Sequence, residues 1–189
     1  MKCILCLEWS FSHVCSKCQD TFLTPNLYKR RLISGIDVIS FYKYSDIKDL
    51  LHTKHTDLGY YIYSILAKKS FKKFSKYFSF CVSVSSISID DKVISGYSHT
   101  AILNKALQSD VIMPEFNKLK STNDISYSGK SREFRLSNPR NFVFSNSKCN
   151  DIILVDDIIT TGITLNQAIE VSKKNGKNVL FCLTLADAR

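Results

Sequence analysis

Two adjacent carboxylates followed by a hydroxyl-rich turn stand out near the end of the sequence, in the segment Asp156-Asp157-Ile158-Ile159-Thr160-Thr161-Gly162-Ile163-Thr164. This segment leads into a predicted helix, whose first turn offers unpaired N–H groups and a positive dipole end that favour a phosphate. Gly162 lets the backbone approach a ligand closely, and the threonines add hydroxyl donors. Carboxylates suit sugar hydroxyls, or a Mg²⁺ ion bridging sugar and phosphate, better than the phosphate itself. The segment therefore predicts a site for a phosphorylated sugar.

A purely structural interpretation of the same segment stays open. In that interpretation the aspartates close a turn and the threonines cap a helix, and each residue taken alone fits it. The ordered combination of an apolar strand, paired acids, a Thr-Thr-Gly turn and a helix start favours the ligand site.

Four of the seven cysteines lie in the first eighteen residues, as two Cys-x2-Cys pairs separated by eight residues. They are Cys3, Cys6, Cys15 and Cys18. Each pair lets two sulfurs converge from one tight turn, and four thiolates match the tetrahedral ligand set of structural Zn²⁺. The alternatives are free thiols clustered by chance and a redox motif, although a redox pair is expected near a βαβ unit. The spacing predicts a small zinc ribbon over residues 1–25, ending at Pro25-Asn26.

A third pattern interleaves lysines with aromatic residues between Lys68 and Phe78. Binding of single-stranded nucleic acid needs cations for the backbone and rings for stacking, and this segment has both. The residues that are candidates for contacts with a nucleic-acid backbone are Lys68, Lys69, Lys72 and Lys73. The alternative is a helix end that buries Phe71 and Phe74 and points its lysines into solvent. A second, smaller basic group comprises Arg132, Arg135 and Arg140.

A strand–loop–helix–strand unit must position the segment 156–164. The uninterrupted apolar run 152–155 predicts a strand that is covered on both faces. We expect a helix from Thr164, with Gln167 as its capping-box partner and Asn175-Gly176 at its C-terminal end. Its expected buried positions are Leu165, Ala168, Ile169 and Ser172. The apolar run 179–183 is the next strand, and a right-handed crossover makes the two strands parallel.

The hydrophobic patterns before residue 151 indicate secondary structure less clearly. They predict strands at 36–42, 78–84 and 111–113, two helices over 46–69 and a helix capped by Ser98 that runs to Leu107. The polar stretch 117–133 predicts a loop. Residues 26–189 are therefore expected to form one α/β domain behind the ribbon.

The overall composition limits the function classes. The chain of 189 residues is 44% hydrophobic with a net charge of +9, and no apolar run approaches the roughly 20 residues that span a bilayer. The N-terminus lacks a signal-peptide pattern, so the expected compartment is the cytoplasm. The positive charge favours polyanions but does not distinguish nucleic acid, anionic lipid and multiply phosphorylated small molecules.

The segment 151–164 resembles the motif with which type I phosphoribosyltransferases bind phosphoribosyl pyrophosphate (PRPP). The resemblance implies an α/β fold with a parallel sheet flanked by helices, and PRPP bound together with Mg²⁺. It implies that Asp156 and Asp157 bind the ribose hydroxyls. It assigns the 5′-phosphate to Thr160, Thr161, Gly162, Ile163 and Thr164.

The order of a four-cysteine terminus, a middle region and a C-terminal PRPP motif resembles the ComF family of competence proteins, often called ComFC. Lys54 matches a lysine that ends a characteristic segment of that family. Gly96-Tyr97-Ser98-His99 stands where the family has Arg-Gly-Phe-Asn-Gln. The resemblance implies a cytoplasmic, PRPP-binding protein that handles incoming single-stranded DNA during natural transformation. Its implied partners include the DNA-transport proteins of the inner membrane, which would place it peripherally at that membrane.

Two departures from that family fall where type I transferases grip pyrophosphate. Val82-Ser83-Val84-Ser85 replaces Val-Pro-Val-Pro, and Ser95 replaces the arginine before Gly96. The sequence therefore assigns no catalytic residue, and an active phosphoribosyltransferase in nucleotide salvage stays the alternative function.

Overall fold

The secondary structure is known from a computed structural model that describes residues 1–89, 93, 95–123 and 131–189. The strands are β1 (Tyr28–Arg31), β2 (Asp37–Lys43), β3 (Val84–Ile89), β4 (Ile112–Ser121), β5 (Phe142–Phe144), β6 (Asp151–Ile159) and β7 (Asn178–Asp187). The helices are α1 (Ser16–Phe22), α2 (Tyr44–Leu51), α3 (Asp57–Lys69), α4 (Phe71–Tyr77), α5 (His99–Ala106), α6 (Arg132–Ser137) and α7 (Ile163–Lys174). A 3₁₀ turn, His52–His55, joins α2 to α3.

One seven-stranded sheet in the order β1-β2-β7-β6-β3-β4-β5 organises the chain. The five strands from β2 to β4 in this order are parallel to their neighbours, and β1 and β5 join the two edges in the antiparallel sense. The predicted α/β class with a mostly parallel sheet is confirmed, as is the parallel pairing of the last two strands.

Both faces of the central strand β6 are covered, which explains its run of apolar residues. Ile153 and Val155 lie in the core formed with α2, α3, α4 and α5. Ile152 and Leu154 lie in a second core beneath α7. The buried stripe predicted for α7 is confirmed, because Leu165, Ala168, Ile169 and Ser172 are its buried residues.

Several expected element bounds are wrong. Residues 78–82 are not a strand, and β3 begins at Val84, because Phe78 packs its ring on Phe74 and Phe181 after α4 ends. The strand expected at 111–113 continues through Pro114 to Ser121. Within the described residues β4 pairs with β5 only from Leu119 onwards. Pro114 therefore lies before that pairing begins, where its missing N–H leaves no carbonyl of β5 without a donor.

The polar loop predicted over 117–133 is also wrong in part. Residues 117–121 belong to β4, and α6 begins at Arg132. Residues 124–130 lie outside the described part of the chain. The two helices over 46–69, the helix capped by Ser98 and the C-terminal end of α7 are confirmed.

The four-cysteine segment packs against the sheet domain. Cys3, Val14 and Leu23 belong to the same buried cluster as α3 and α4. His13 stacks on Tyr61 of α3 with 4.4 Å between ring centroids. The segment thus shares its core with the following domain, and its boundary at residue 25 stays a prediction. Within the described residues, no helix combines the length and the apolar composition needed to cross a membrane.

Candidate functional site

The paired carboxylates lie inside β6 rather than beyond it, because β6 stays paired with β7 as far as Ile159. Asp156 is partly exposed and Asp157 is buried. The Asp157 N–H donates to Asp156 Oδ1 at 2.8 Å, and the Ile158 N–H donates to Asp157 Oδ1 at the same distance. The strand therefore presents two ordered carboxylates at the carboxyl edge of the sheet, where open parallel sheets bind their ligands.

A lysine and a histidine converge on Asp157. Lys54, from the 3₁₀ turn, places Nζ 3.1 Å from Asp157 Oδ2, and His99, the first residue of α5, places Nε2 3.3 Å from the same oxygen. Burial alone would raise the pKa of Asp157, but the Lys54 charge and then His99 hold that pKa well below its ordinary value. The attraction of Asp157 raises the pKa of Lys54 in return. Asp157 is consequently a fixed anion.

Asp156 differs from its neighbour in the direction of its pKa shift. Burial, followed by repulsion from Asp157, raises the pKa of Asp156 well above the ordinary value. Two carboxylates in one site commonly separate in this way, because the second charge is harder to form beside the first. Asp156 therefore holds its proton more tightly than Asp157 does.

The loop from Thr160 to Thr164 ends at α7, whose N-cap residue makes no side-chain cap. The Ile163 N–H donates to Thr161 Oγ1 at 3.5 Å. Gly162 is the N-cap residue with φ of +79°, and a Cβ at this position would lie 2.6 Å from Leu32 Cδ2, so only glycine fits. The expected capping box is wrong: α7 begins at Ile163, and Gln167 Oε1 accepts the Arg140 N–H at 3.0 Å instead. The first N–H groups of α7 thus face the loop.

A hairpin far away in the sequence anchors this loop. Arg30 of β1 donates to Asp187 Oδ1 at 2.8 Å and, through its other terminal nitrogen, to the carbonyl oxygen of Thr160. The side chains of Arg30 and Asp187 are only 5% and 10% exposed. Ser34 N–H donates to Asn166 Oδ1 of α7 at 3.2 Å. The sequence contained no signal for Arg30, because its partners follow it by 130 and 157 positions.

The lysine-aromatic segment forms the end of α3 and all of α4. Phe71 is fully buried and Phe74 is partly buried against Phe41, so the interpretation of these rings as exposed base-stacking platforms is wrong. Lys68, Lys72 and Lys73 are exposed, whereas Lys69 pairs with Asp20. The side chains of Arg132 and Arg135 lie outside the described part of the structure.

The four N-terminal cysteines do come together. Their sulfur atoms all lie within 4.8 Å of one another. Cys6 and Cys15 Sγ are 3.7 Å apart, close to the roughly 3.8 Å edge of a tetrahedron with Zn–S bonds of about 2.3 Å.

The sulfurs of this cluster also accept backbone hydrogen bonds. Cys3 Sγ accepts the Cys15 N–H, and Cys15 Sγ accepts the Cys18 N–H. Burial opposes the Cys3 thiolate, yet backbone donors, first that of Cys15, lower the pKa of Cys3 to about 6. The four cysteines can therefore hold a metal ion such as zinc.

The chain matches known proteins over most of its length. The family model described as PRTase-CE matches residues 23–187. The curated protein "Transcriptional regulator GfcR" of Methanosphaera stadtmanae is 46% identical over 46 residues, which are 24% of this chain and 23% of that protein. This match spans about a quarter of the relative's length.

Two solved structures are similar in fold. The orotate phosphoribosyltransferase of Aeropyrum pernix matches with a TM-score of 0.42 and 18% identity, covering 90% of this chain and 80% of that one. The hypoxanthine phosphoribosyltransferase of Staphylococcus aureus matches with a TM-score of 0.40 and 18% identity, covering 66% and 62%.

The anchoring of the loop by Arg30 leads to a stability prediction. Changing Arg30 to Met leaves Asp187 buried without its cation, and breaking a buried pair in this way costs about 3–5 kcal/mol. Changing Lys29 to Met is the matched control, because Lys29 pairs with Asp37 on the surface and is 68% exposed, where such pairs contribute about 0–1 kcal/mol. Urea unfolding measures both variants, and equal midpoints would contradict the anchoring role.

Proposed function

The chain belongs to the PRTase-CE family, a phosphoribosyltransferase-type family, and on that premise we propose that it binds PRPP at the carboxyl end of β6. The observation that carries the proposal is the meeting of two ordered carboxylates and a helix start with a glycine N-cap at one edge of the sheet. A phosphorylated sugar needs both, because its hydroxyls seek acceptors and its phosphate seeks N–H donors.

Each part of PRPP has matching groups in this proposal. The 5′-phosphate lies against the first N–H groups of α7, at Ile163 and Thr164, with hydroxyls from Thr160 and Thr161 beside it. Gly162, with φ of +79°, supplies the left-handed turn that leads into these N–H groups. The ribose hydroxyls donate to Asp156 and Asp157. A Mg²⁺ ion accompanies the pyrophosphate and neutralises part of its charge.

We expect Asp156→Asn to weaken PRPP binding by about tenfold or more. The change keeps the shape but removes the carboxylate that would accept a ribose hydroxyl when Asp156 ionises, and such a charge-assisted bond contributes about 1.5–3 kcal/mol. It also leaves the Lys54–Asp157 pair in place. Calorimetry with PRPP and Mg²⁺ measures the affinity. Glu170→Gln, on the exposed side of α7, is the control with the same charge change, and equal affinities for the two variants would place the ligand elsewhere.

Whether bound PRPP reacts is a separate question. The alternative to a binding role is an active phosphoribosyltransferase in nucleotide salvage. The two differ in one measurement, the release of pyrophosphate from PRPP in the presence of a panel of nucleobases. A binding protein retains PRPP under these conditions, whereas a transferase releases pyrophosphate with its own acceptor.

We also propose that the cysteine cluster is a structural zinc site. The support is the near-tetrahedral sulfur spacing and the burial of Cys3 and Cys18 in the core shared with the domain. Because four protein thiolates fill the coordination sphere, the ion would serve the fold rather than catalysis.

Purified protein is expected to carry one zinc ion per chain after washing with a weak chelator. Changing Cys6 and Cys15 to Ser removes two ligands, and the segment 1–25 should then unfold, because metal binding supplies folding energy to such small modules. Elemental analysis and limited proteolysis measure both effects. The same double change at Cys81 and Cys149, outside the cluster, is the control. Metal-free protein with unchanged melting would rule the site out.

A ComF-like role is a more specific proposal for the function of this PRPP-binding protein. It adds the handling of incoming single-stranded DNA in natural transformation, at or near inner-membrane transport proteins. The favouring observation is that Lys68, Lys72 and Lys73 are exposed to solvent. Since Phe71 is buried, that ring is not available to stack on bases. The lysines would contact phosphates, and binding would depend strongly on salt.

Changing Lys72 and Lys73 to Gln is expected to weaken binding of an oligothymidylate. If both lysines contact phosphates, the slope of log affinity against log salt should become shallower by about 1.4, or about 0.7 for each contact. Fluorescence titrations over a salt series measure the slope. Changing Lys173 and Lys174, which are exposed at the end of α7, gives a control with the same loss of charge. Identical slopes for the two variants would exclude this surface.

A further inference from the structure

A groove follows the outer surface between α3 and α5, on the face of the sheet opposite α7. Its volume is about 420 Å³, within the range of small-molecule sites. Small and apolar side chains form its floor: Ala67, Ala101, Ile102 and Ala106. No contact described above fills it.

The two ends of the groove differ in chemistry. At the N-terminal ends of both helices, Tyr60 and Tyr97 meet edge to face with 5.9 Å between ring centroids, and Tyr60 is 49% exposed. Lys68 follows Tyr60 by two helical turns, which corresponds to about 12 Å. Lys105 and Lys72 line the groove with Lys68. One end is therefore aromatic and the other cationic.

The three lysines have no carboxylate partner within the described residues. Lys72 donates to the carbonyl oxygen of Gln108, just after α5, which holds the lysine beside the end of that helix. A cluster of like charges on a partly apolar surface repels itself, and an anionic ligand relieves that repulsion. The groove thus offers a ring at one end and unneutralised positive charge at the other.

We propose that this groove is a second ligand site, which binds a nucleotide. The base packs on Tyr60 and the alanine floor, and the phosphates lie among Lys68, Lys72 and Lys105. A free nucleotide and a nucleotide within a single strand share this chemistry. An acidic peptide would use the lysines but has no need of the aromatic end. The inference does not depend on PRPP binding, because the loop 160–164 leads into α7 on the other face of the sheet.

Calorimetry with AMP, ATP and a short oligothymidylate tests the cationic end. Excess ribose 5-phosphate is present throughout, so that the loop 160–164 does not take up the nucleotide. Changing Lys68 and Lys105 to Gln should lower affinity by about tenfold or more, as expected for two charge-assisted contacts, and should flatten the salt dependence. Changing Lys173 and Lys174 to Gln should leave both unchanged. Equal affinities for the two double variants would overturn the proposal.

The aromatic end has its own matched pair of variants. Tyr60→Leu should lower affinity by about fivefold or more without changing the salt slope, because stacking is lost while the charges stay. Tyr77→Leu is the control, since Tyr77 is 80% exposed and does not line the groove. Binding of AMP or ATP identifies a free nucleotide, and binding of the oligonucleotide alone identifies a strand. If an acidic peptide binds in their place and Tyr60→Leu has no effect, the groove is a peptide site and the proposal is wrong.

Discussion

The buried charge of Asp157 constrains more of this structure than any other group. Moving a carboxylate out of water costs several kcal/mol, and the cost is offset only if cations and hydrogen bonds reach it in good geometry. Lys54 and His99 supply that compensation from two different elements, the 3₁₀ turn before α3 and the first turn of α5. Because both must meet one oxygen at the end of β6, the starts of α3 and α5 are held at the carboxyl edge of the sheet. The groove between these two helices begins near this shared start, where Tyr60 and Tyr97 meet.

Arg30 imposes the same kind of constraint on the other side of the candidate site. Its guanidinium joins the last residue of β7 to the carbonyl oxygen of Thr160, so the hairpin β1–β2, the sheet edge and the loop are fixed together. Leu32 of the same hairpin fills the space beside Gly162. The loop is therefore ordered before any ligand arrives, and a preorganised loop loses less entropy on binding.

The parts of the fold that the sequence predicts well are those whose signals are local. The unit β6–α7–β7 depends on an apolar run, a 3.6-residue stripe and a Gly C-terminus, all within forty residues, and the cysteine cluster depends on spacing alone. Gln167 shows the limit of such local signals. Its side chain would complete a capping box, but it instead accepts a hydrogen bond from the N–H of Arg140, 27 positions away. The ion pairs of the site join residues 58 to 157 positions apart in the sequence, and no pattern in a single sequence indicates which charges will meet. The roles of Phe71 and Phe74 are ambiguous in the sequence for the same reason, because an aromatic ring between lysines can pack in a hydrophobic core or stack on a nucleic-acid base.

The charges of the protein are distributed unequally between its two candidate ligand regions. At the carboxyl edge of the sheet, Asp157 and Asp187 balance Lys54 and Arg30, so a phosphate near α7 would be held by backbone N–H groups and the helix dipole. Such contacts are directional and favour a ligand of one shape. Along α3, α4 and α5, by contrast, Lys68, Lys72 and Lys105 are not balanced by carboxylates of the described residues, and much of their attraction acts at a distance. That attraction is screened by salt and selects for charge more than for shape. The edge of the sheet therefore favours a specific ligand, whereas the groove favours anions in general. This difference is expected if the protein binds one particular sugar phosphate at the edge and nucleotides with lower selectivity in the groove.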